Sequence, residues 1–449
     1  MEKERISRRN VLKGLGIAAL MGAGGVGIPH PLLAAETKDK PPEGAPGLKP
    51  PAKWYQKGII GDPHMDAHLF RCLSAIWGGM GDLGECLDTA SRIKAGNDLS
   101  WYEEWFRTAE RVRAIADNSL KKGRKISAGE AYMRACNYYR ASEFYLHANP
   151  QDPRILNASK QSVDCFQKAA PLLSIPVQEV RIPYEGTTLP GYFYLAEGGN
   201  KKGPILIVHQ GFDATAEETY HVCNSAIKRG YHCLIFEGPG QGRALREQGL
   251  RFRSDWDKVV TPVVDYVMTR SEIDPGRVAL LGISFGGYLT PRAAAFEPRL
   301  KICIANPGIY NWNESIQGHI PPAIRNLLEK DPQAYNNAMA NIMKKITIFR
   351  WFINDGMWKY GADSAADIMM KLRPYTLQNI VQKIRCKTLV MDGTAENLSP
   401  GQAKQLYDAL TCPKEYMLFT DEDAASTHCQ GGAHALSNQR MFDWLDENI

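Results

Sequence analysis

The sequence lacks the features that mark several classes of protein. Its 54 Lys and Arg nearly balance 49 Asp and Glu, and it has no dense basic run interleaved with aromatic residues. The ten cysteines form no CxxC pair, and several lie in apolar runs such as YHCLIF and KICIAN. These absences argue against nucleic-acid binding, a zinc centre or a dense disulfide framework. We expect buried free thiols, and neither a metal nor a cofactor.

A long apolar run that would predict a membrane span is also missing. The early run LGIAALMGAGGVGI is short and rich in glycine. It follows the basic segment SRRNVLK and precedes small residues at Ala34 and Ala35, which is the order of a signal peptide. The pair Arg8 and Arg9 resembles a twin-arginine signal. We therefore predict a signal peptide over 1–35, read by the twin-arginine export machinery, and a periplasmic or secreted protein; an uncleaved anchor is the alternative.

Two patterns divide the rest of the chain, whose length of 449 residues suits two domains. The Pro- and Lys-rich stretch 36–53 predicts a disordered linker, and apolar residues at helical spacing predict a helical cap domain over 54–175. Within that domain, Ser127 and Glu130 resemble a capping box. From residue 176, strands alternate with helices to residue 449, with a helical insertion over 313–383. Near-continuous apolar strands predict an α/β fold with a mostly parallel, doubly wound sheet.

The segment GISFG at 282–286 is a G-x-S-x-G motif centred on Ser284. It directly follows the apolar strand RVALL and directly precedes a helical pattern, which is the context of a nucleophile elbow. The glycines leave room for a sharp turn, and the serine lies near a helix N-terminus, whose dipole favours developing negative charge. Ser284 is therefore the predicted nucleophile.

A serine hydroxyl needs a base and an orienting acid, which follow such an elbow in the order acid and then histidine. His428, in a loop after the strand KEYMLF, is the predicted base, and His434, inside the closing helical pattern, is the alternative. The acid should follow the strand KTLVM. Glu396 lies three residues after Gly393 and is favoured, with Asp392 at the strand end as the alternative.

An oxyanion hole needs two backbone N–H groups aimed at the developing charge. We expect one from Phe285, directly after the nucleophile, and one from Phe212, in the turn after the strand PILIVH. His209 precedes that turn, and a structural role is the simpler interpretation. The segment EGPGQG at 237–242 lacks phosphate-loop spacing and predicts a tight turn.

Three blocks of the sequence resemble a known group of proteins. FEGPGQGRALREQGLRFRSDWDKVV, LLGISFGGYLTPRAAAFEPRL and THCQGGA are similar to the α/β-hydrolases grouped with 2,6-dihydroxypseudooxynicotine hydrolase and with fungal pigment-pathway hydrolases that shorten polyketides. The resemblance implies an α/β-hydrolase fold with an N-terminal helical cap, a Ser–acid–His triad and a substrate pocket between cap and sheet. It implies no metal, and several members cleave a carbon–carbon bond next to a ketone.

The sequence therefore predicts a serine-nucleophile hydrolase that acts on a small carbonyl compound and does not bind nucleic acid. The alternatives to carbon–carbon cleavage are a carboxylesterase or peptidase-like activity, and a non-catalytic binding protein on the same fold. Tyr138, Tyr139 and Arg140 could line the pocket or simply pack within their helix. A homodimer is left open.

Overall fold

The computed structural model describes residues 53–198 and 202–449. The predicted signal peptide and all but the last residue of the predicted linker lie outside them. None of the described helices is long and apolar enough to cross a membrane. All ten cysteines are free, and eight of them are buried.

Among the described residues, five α-helices form the N-terminal region. They are α1 (Pro63–Ser74), α2 (Leu83–Arg92), α3 (Asp98–Lys121), α4 (Lys125–Ser142) and α5 (Pro153–Leu172). Short polar side chains start most of them, as at α1, where Asp62 accepts hydrogen bonds from the backbone of His64 and Met65. The capping box predicted from Ser127 and Glu130 is wrong: α4 begins at Lys125, and its N-cap, Arg124, makes no side-chain capping bond.

The second part of the chain is built on one eight-stranded sheet. Its strands are β1 (Val177–Tyr184), β2 (Thr187–Tyr194), β3 (Gly203–His209), β4 (His232–Phe236), β5 (Ile273–Ile283), β6 (Ile302–Asn306), β7 (Lys387–Gly393) and β8 (Lys414–Phe419). The order is β1-β2-β4-β3-β5-β6-β7-β8. Pairs β1–β2 and β2–β4 are antiparallel, and the remaining pairs are parallel. The carboxyl ends of the parallel strands therefore meet at one edge of the sheet.

Twelve α-helices connect or follow these strands. They are α6 (Tyr220–Ile227), α7 (Gly242–Gln248), α8 (Asp257–Met268), α9 (Gly286–Ala294), α10 (Trp312–Gly318), α11 (Pro322–Arg325), α12 (Leu327–Lys330), α13 (Pro332–Met343), α14 (Thr347–Tyr360), α15 (Ala365–Leu372), α16 (Gln402–Ala409) and α17 (His434–Asn448). Helices α10 to α15 lie between β6 and β7, where the sequence predicts a helical insertion.

The sheet separates two apolar cores. On β3, Ile205 and Ile207 belong to one core while Leu206 and Val208 belong to the other, as the alternation of side chains along a strand requires. The second core also contains buried residues of the N-terminal helices, Trp101 among them. The N-terminal helices thus share an apolar core with one face of the sheet.

Candidate active site

Ser284 lies on a sharp turn between β5 and α9, at the carboxyl edge of the sheet. Its φ is +61°, a left-handed conformation that costs a residue with a side chain of order 1–3 kcal/mol. The turn is held by the Ser284 N–H, which donates to the Asn306 carbonyl at 2.7 Å. Glycine is required beside it, because a Cβ on Gly282 would lie 2.1 Å from the Gly286 carbonyl oxygen. The strained backbone thus presents the serine hydroxyl at the edge.

The structure brings the favoured histidine and acid to this hydroxyl. His428 Nε2 lies 2.9 Å from Ser284 Oγ, and His428 Nδ1 lies 2.7 Å from Glu396 Oε2. Glu396 follows β7, and its other oxygen accepts the N–H groups of Leu398 and Ser399 at 2.8 and 2.9 Å. Each ring nitrogen of His428 therefore has one partner, which orients the imidazole between acid and nucleophile.

The charges around His428 favour an imidazole that accepts a proton. Burial lowers the pKa of His428, but Cys429 and the Glu396 carboxylate outweigh it and raise that pKa well above its ordinary value. Burial raises the pKa of Glu396, yet His428 and the two backbone N–H groups lower it overall. Glu396 is therefore an anion at neutral pH, 2.7 Å from His428 Nδ1, where its charge favours an imidazolium.

The alternative residues have other partners. Asp392 accepts a hydrogen bond from the Tyr416 hydroxyl at 2.5 Å, and burial raises its pKa. His434 is the first residue of α17 and stacks on His221, with ring centroids 4.2 Å apart. His209 is fully buried, with Nε2 2.8 Å from the Thr290 hydroxyl, and burial lowers its pKa to about 4. These contacts give all three structural roles.

The turn expected to complete the oxyanion hole lies against the nucleophile. A Cβ on Gly211 would lie 2.5 Å from the Phe285 backbone nitrogen and 2.8 Å from Ser284 Cβ. Glycine thus allows the 211–212 backbone to approach the elbow. The structure brings together the two predicted segments, those of Phe212 and Phe285, beside the serine.

The helical regions meet above this turn. Trp351 of α14 contacts the Phe212 ring at a centroid distance of 5.7 Å and stacks on Phe144 of the N-terminal region at 5.3 Å. Arg71 of α1 forms ion pairs with Asp213, directly after Phe212, and with Glu218. Lys359 of α14 donates to the Phe212 carbonyl oxygen at 2.7 Å. The turn at 211–212, called the oxyanion turn below, is therefore enclosed by two helical regions. These are the N-terminal helices and the helices between β6 and β7.

Sequence reasoning missed Arg71, Trp351 and Lys359. The sequence does contain a signal for Lys359. It lies four residues after Asp355 in a helix otherwise rich in aromatic residues, a spacing that predicts an ion pair on one helix face. Tyr138 and Tyr139 donate instead to acids of the N-terminal helices, Glu85 and Glu110, and are packing residues. Arg140 lies 3.5 Å from Glu218, which belongs to the second part of the chain, between β3 and α6. Among the described residues, no group of His, Cys, Asp and Glu could hold a metal ion.

Comparison with known proteins agrees with this architecture. Residues 205–438 match the model of the α/β-hydrolase family, and residues 76–314 match that of the FrsA-like esterases. The chain belongs to the α/β-hydrolase family. The second match spans the N-terminal helices α2 to α5 together with the segment of Ser284, so these four helices are part of what the chain shares with the FrsA-like esterases.

Two fungal α/β-hydrolase relatives are similar over nearly their whole length. Hydrolase LUC6 of Fusarium sp is 37% identical over 388 residues, covering 82% of this chain and 92% of the relative. The 20-hydroxy-prefusarin hydrolase FUS2 of Gibberella moniliformis is 36% identical, with the same coverage. The crystal structure of 2,6-dihydroxy-pseudo-oxynicotine hydrolase matches 85% of this chain and 95% of its own, with a TM-score of 0.65 at 22% identity. The predicted α/β-hydrolase fold with a helical N-terminal region is confirmed.

Proposed function

We propose that this hydrolase attacks a small carbonyl compound with Ser284, using His428 as base and Glu396 as the orienting acid. The observation that carries the proposal is the unbroken hydrogen-bond chain from Ser284 Oγ through both ring nitrogens of His428 to Glu396. The predicted oxyanion segments lie beside the same hydroxyl. Nucleophile, base, acid and oxyanion donors are the complete set that acyl transfer requires.

In the proposed reaction, His428 takes the serine proton as Oγ attacks the carbonyl carbon. The N–H groups of Phe212 and Phe285 hold the oxyanion. The leaving group departs with the proton from His428, and water then releases the acyl group from Ser284. Glu396 does not take a proton; it keeps the imidazole in place and stabilises its cation. The surrounding helices would exclude water and select the substrate.

We further propose that the bond cleaved is a carbon–carbon bond next to a ketone. The sequence blocks that resemble carbon–carbon hydrolases support this, and FUS2 is named for 20-hydroxy-prefusarin as its substrate. Such a leaving group is a carbanion, so the substrate must stabilise it as an enol or phenol. Carboxylester hydrolysis is the second candidate, favoured by the match to FrsA-like esterases over residues 76–314.

The test compares wild type with Ser284→Ala on p-nitrophenyl acetate and on an aryl β-diketone. We expect loss of activity on either substrate by about 10⁴-fold or more. A fluorophosphonate probe should label the wild type and not the variant. Faster turnover of the diketone supports carbon–carbon cleavage, and faster turnover of the ester supports the second candidate. Activity that survives in Ser284→Ala would refute the nucleophile.

We also propose that the protein is exported. The order of basic segment, apolar run and small residues over 1–35 supports recognition by the twin-arginine machinery and delivery outside the cytoplasm.

A further inference from the structure

Lys359 is a lysine buried beside the oxyanion turn. Its side chain is 1% exposed, although lysine is among the residues least often buried without a partner. Its Nζ lies 2.7 Å from the Phe212 carbonyl oxygen and 2.7 Å from Asp355 Oδ2. The same nitrogen lies 4.3 Å from the centroid of the Phe212 ring. Two of its three contacts are therefore with the residue whose N–H is assigned to the oxyanion hole.

A row of buried charged groups holds Lys359 in this place. Asp355 is fully buried and also binds His147 Nδ1, while His147 Nε2 binds Glu143. Glu143 in turn pairs with Arg246, whose side chain is 4% exposed. Cations and carboxylates alternate along the row, which compensates for their burial. It runs from Arg246 of α7, through Glu143 and His147 between α4 and α5, to α14, and it ends at the Phe212 carbonyl.

The contacts of Lys359 fix Phe212 on two sides. The ammonium group binds the Phe212 carbonyl, and the Lys359 carbonyl accepts the Phe252 N–H at 2.9 Å. The Phe252 ring stacks on that of Phe212, with centroids 5.9 Å apart and planes 9° apart. With both its carbonyl and its ring held, Phe212 has little freedom to turn its N–H away from the elbow. Oxyanion donors must be held this closely, because a shift near 1 Å can cost on the order of 100-fold in rate.

We propose that Lys359 is a positioning residue for the oxyanion hole, acting through the Phe212 carbonyl. The inference rests on the proposed function, since it requires the Phe212 N–H to bind the oxyanion. Lys359 would not touch the substrate. Its loss should therefore weaken binding of the transition state and leave binding of the ground state nearly unchanged.

The test replaces Lys359 with Met and measures ester hydrolysis and inhibition by an aryl trifluoromethyl ketone. That ketone forms a serine hemiketal whose oxyanion occupies the hole. We expect kcat for p-nitrophenyl acetate to fall on the order of 10- to 100-fold, less than the loss of a whole donor, while KM changes by less than about threefold. The Ki of the ketone should rise by the same factor as kcat/KM falls.

Lys371→Met is the control for removing a paired lysine from the same insertion; its side chain is 37% exposed, against 1% for Lys359. Lys371 lies in the same insertion, pairs with a carboxylate four residues earlier, Asp367, and donates to a backbone carbonyl, that of Gly361. That carbonyl is not part of the oxyanion turn, so the control should keep both kcat and Ki. If Lys359→Met does not fold, Lys359→Gln takes its place. Gln keeps an N–H donor without a charge, and we expect a smaller change with the same signature.

The outcomes separate the two proposals. A wild type that binds the ketone, together with a folded Lys359 variant that binds it equally well, would overturn the positioning role alone. A KM that rises while kcat holds would overturn it too, because this would show a role in ground-state binding. A wild type that neither binds the ketone nor reacts with fluorophosphonate would overturn the proposed function and this inference with it.

Discussion

The sheet edge and the helical regions contribute to the proposed active site in different ways. Ser284, Glu396 and His428 each lie on a short segment that directly follows a parallel strand, so the sheet itself brings them together. Arg71 and Lys359 lie on helices, and they reach the oxyanion turn only because those helices pack over it. The proposed reacting groups thus depend on local turns, whereas their alignment depends on contacts between distant parts of the chain.

This difference predicts two kinds of effect when residues are substituted. A change at the sheet edge should remove a chemical step and leave the packing intact. A change in the helical contacts should leave all reacting groups present but place the oxyanion donor less accurately. Substitutions in each region, each with a matched control, can therefore test the comparison.

The largest effect is expected from Glu396→Gln, at the sheet edge. The amide no longer stabilises the imidazolium and can favour the wrong tautomer of His428, so kcat for p-nitrophenyl acetate should fall by about 10⁴-fold. Asp392→Asn is the control, because Asp392 lies at the end of the same strand and pairs with Tyr416. It should stay within about threefold of wild type, as expected for a residue outside the reacting set. The reverse ranking would make Asp392 the acid.

The arrangement at the sheet edge could be predicted because its signals are local. G-x-S-x-G between a strand and a helix predicts an elbow, and chain order then places the acid and the base after the last two strands. Two ambiguities remained in the sequence, Glu396 against Asp392 and His428 against His434. The structure separates them by distance: only Glu396 and His428 lie in the hydrogen-bond chain to Ser284 among the described residues.

The role of the helical regions could not be predicted in the same way. Helical spacing predicted a helical region over 54–175, and the start of α4 was misplaced within it because Ser127 and Glu130 imitate a capping box. Helical spacing does not predict which side chains contact each other when they lie far apart in the sequence. Arg71 and Asp213 are 142 residues apart, and Lys359 and Phe212 are 147 apart. Such contacts follow from packing between elements, which a single sequence does not encode in any short pattern.

The next effect in size is expected from Arg71→Met, in the helical region. This change removes the ion pairs that hold Asp213 and Glu218, so the turn that carries Phe212 should lose one of its supports. We expect kcat/KM to fall on the order of 10- to 100-fold, because small shifts of aligned groups are costly. The free energy of unfolding should fall by about 1–3 kcal/mol, since Asp213 loses its ion pair and Glu218 keeps only that with Arg140.

Arg113→Met is the control for this loss. Arg113 has nearly the same side-chain exposure as Arg71, 20% against 22%, and also pairs with an acid, Asp164. Its contacts join two N-terminal helices and do not reach the oxyanion turn. It should lose similar stability in urea unfolding and keep its activity. If both variants lose activity equally, the helical contacts act through general stability, and the comparison with the sheet edge fails.

The smallest effect of a substitution is expected from His434→Gln, and it is measured through the pH dependence. His428 must be neutral to accept the serine proton, and its pKa lies well above the ordinary value of 6.5 because Cys429 and Glu396 favour its cation. The value of kcat/KM should therefore fall as the pH is lowered through that raised pKa, approaching a tenfold loss per pH unit below it. His434→Gln is the control, since burial lowers the pKa of His434 to about 4 and leaves it neutral across this range. The profile should be unchanged in that variant, as measured by ester hydrolysis from pH 5 to 9. A shifted acidic limb in His434→Gln would mean that a buried group of α17, and not the histidine at the sheet edge alone, controls the proton.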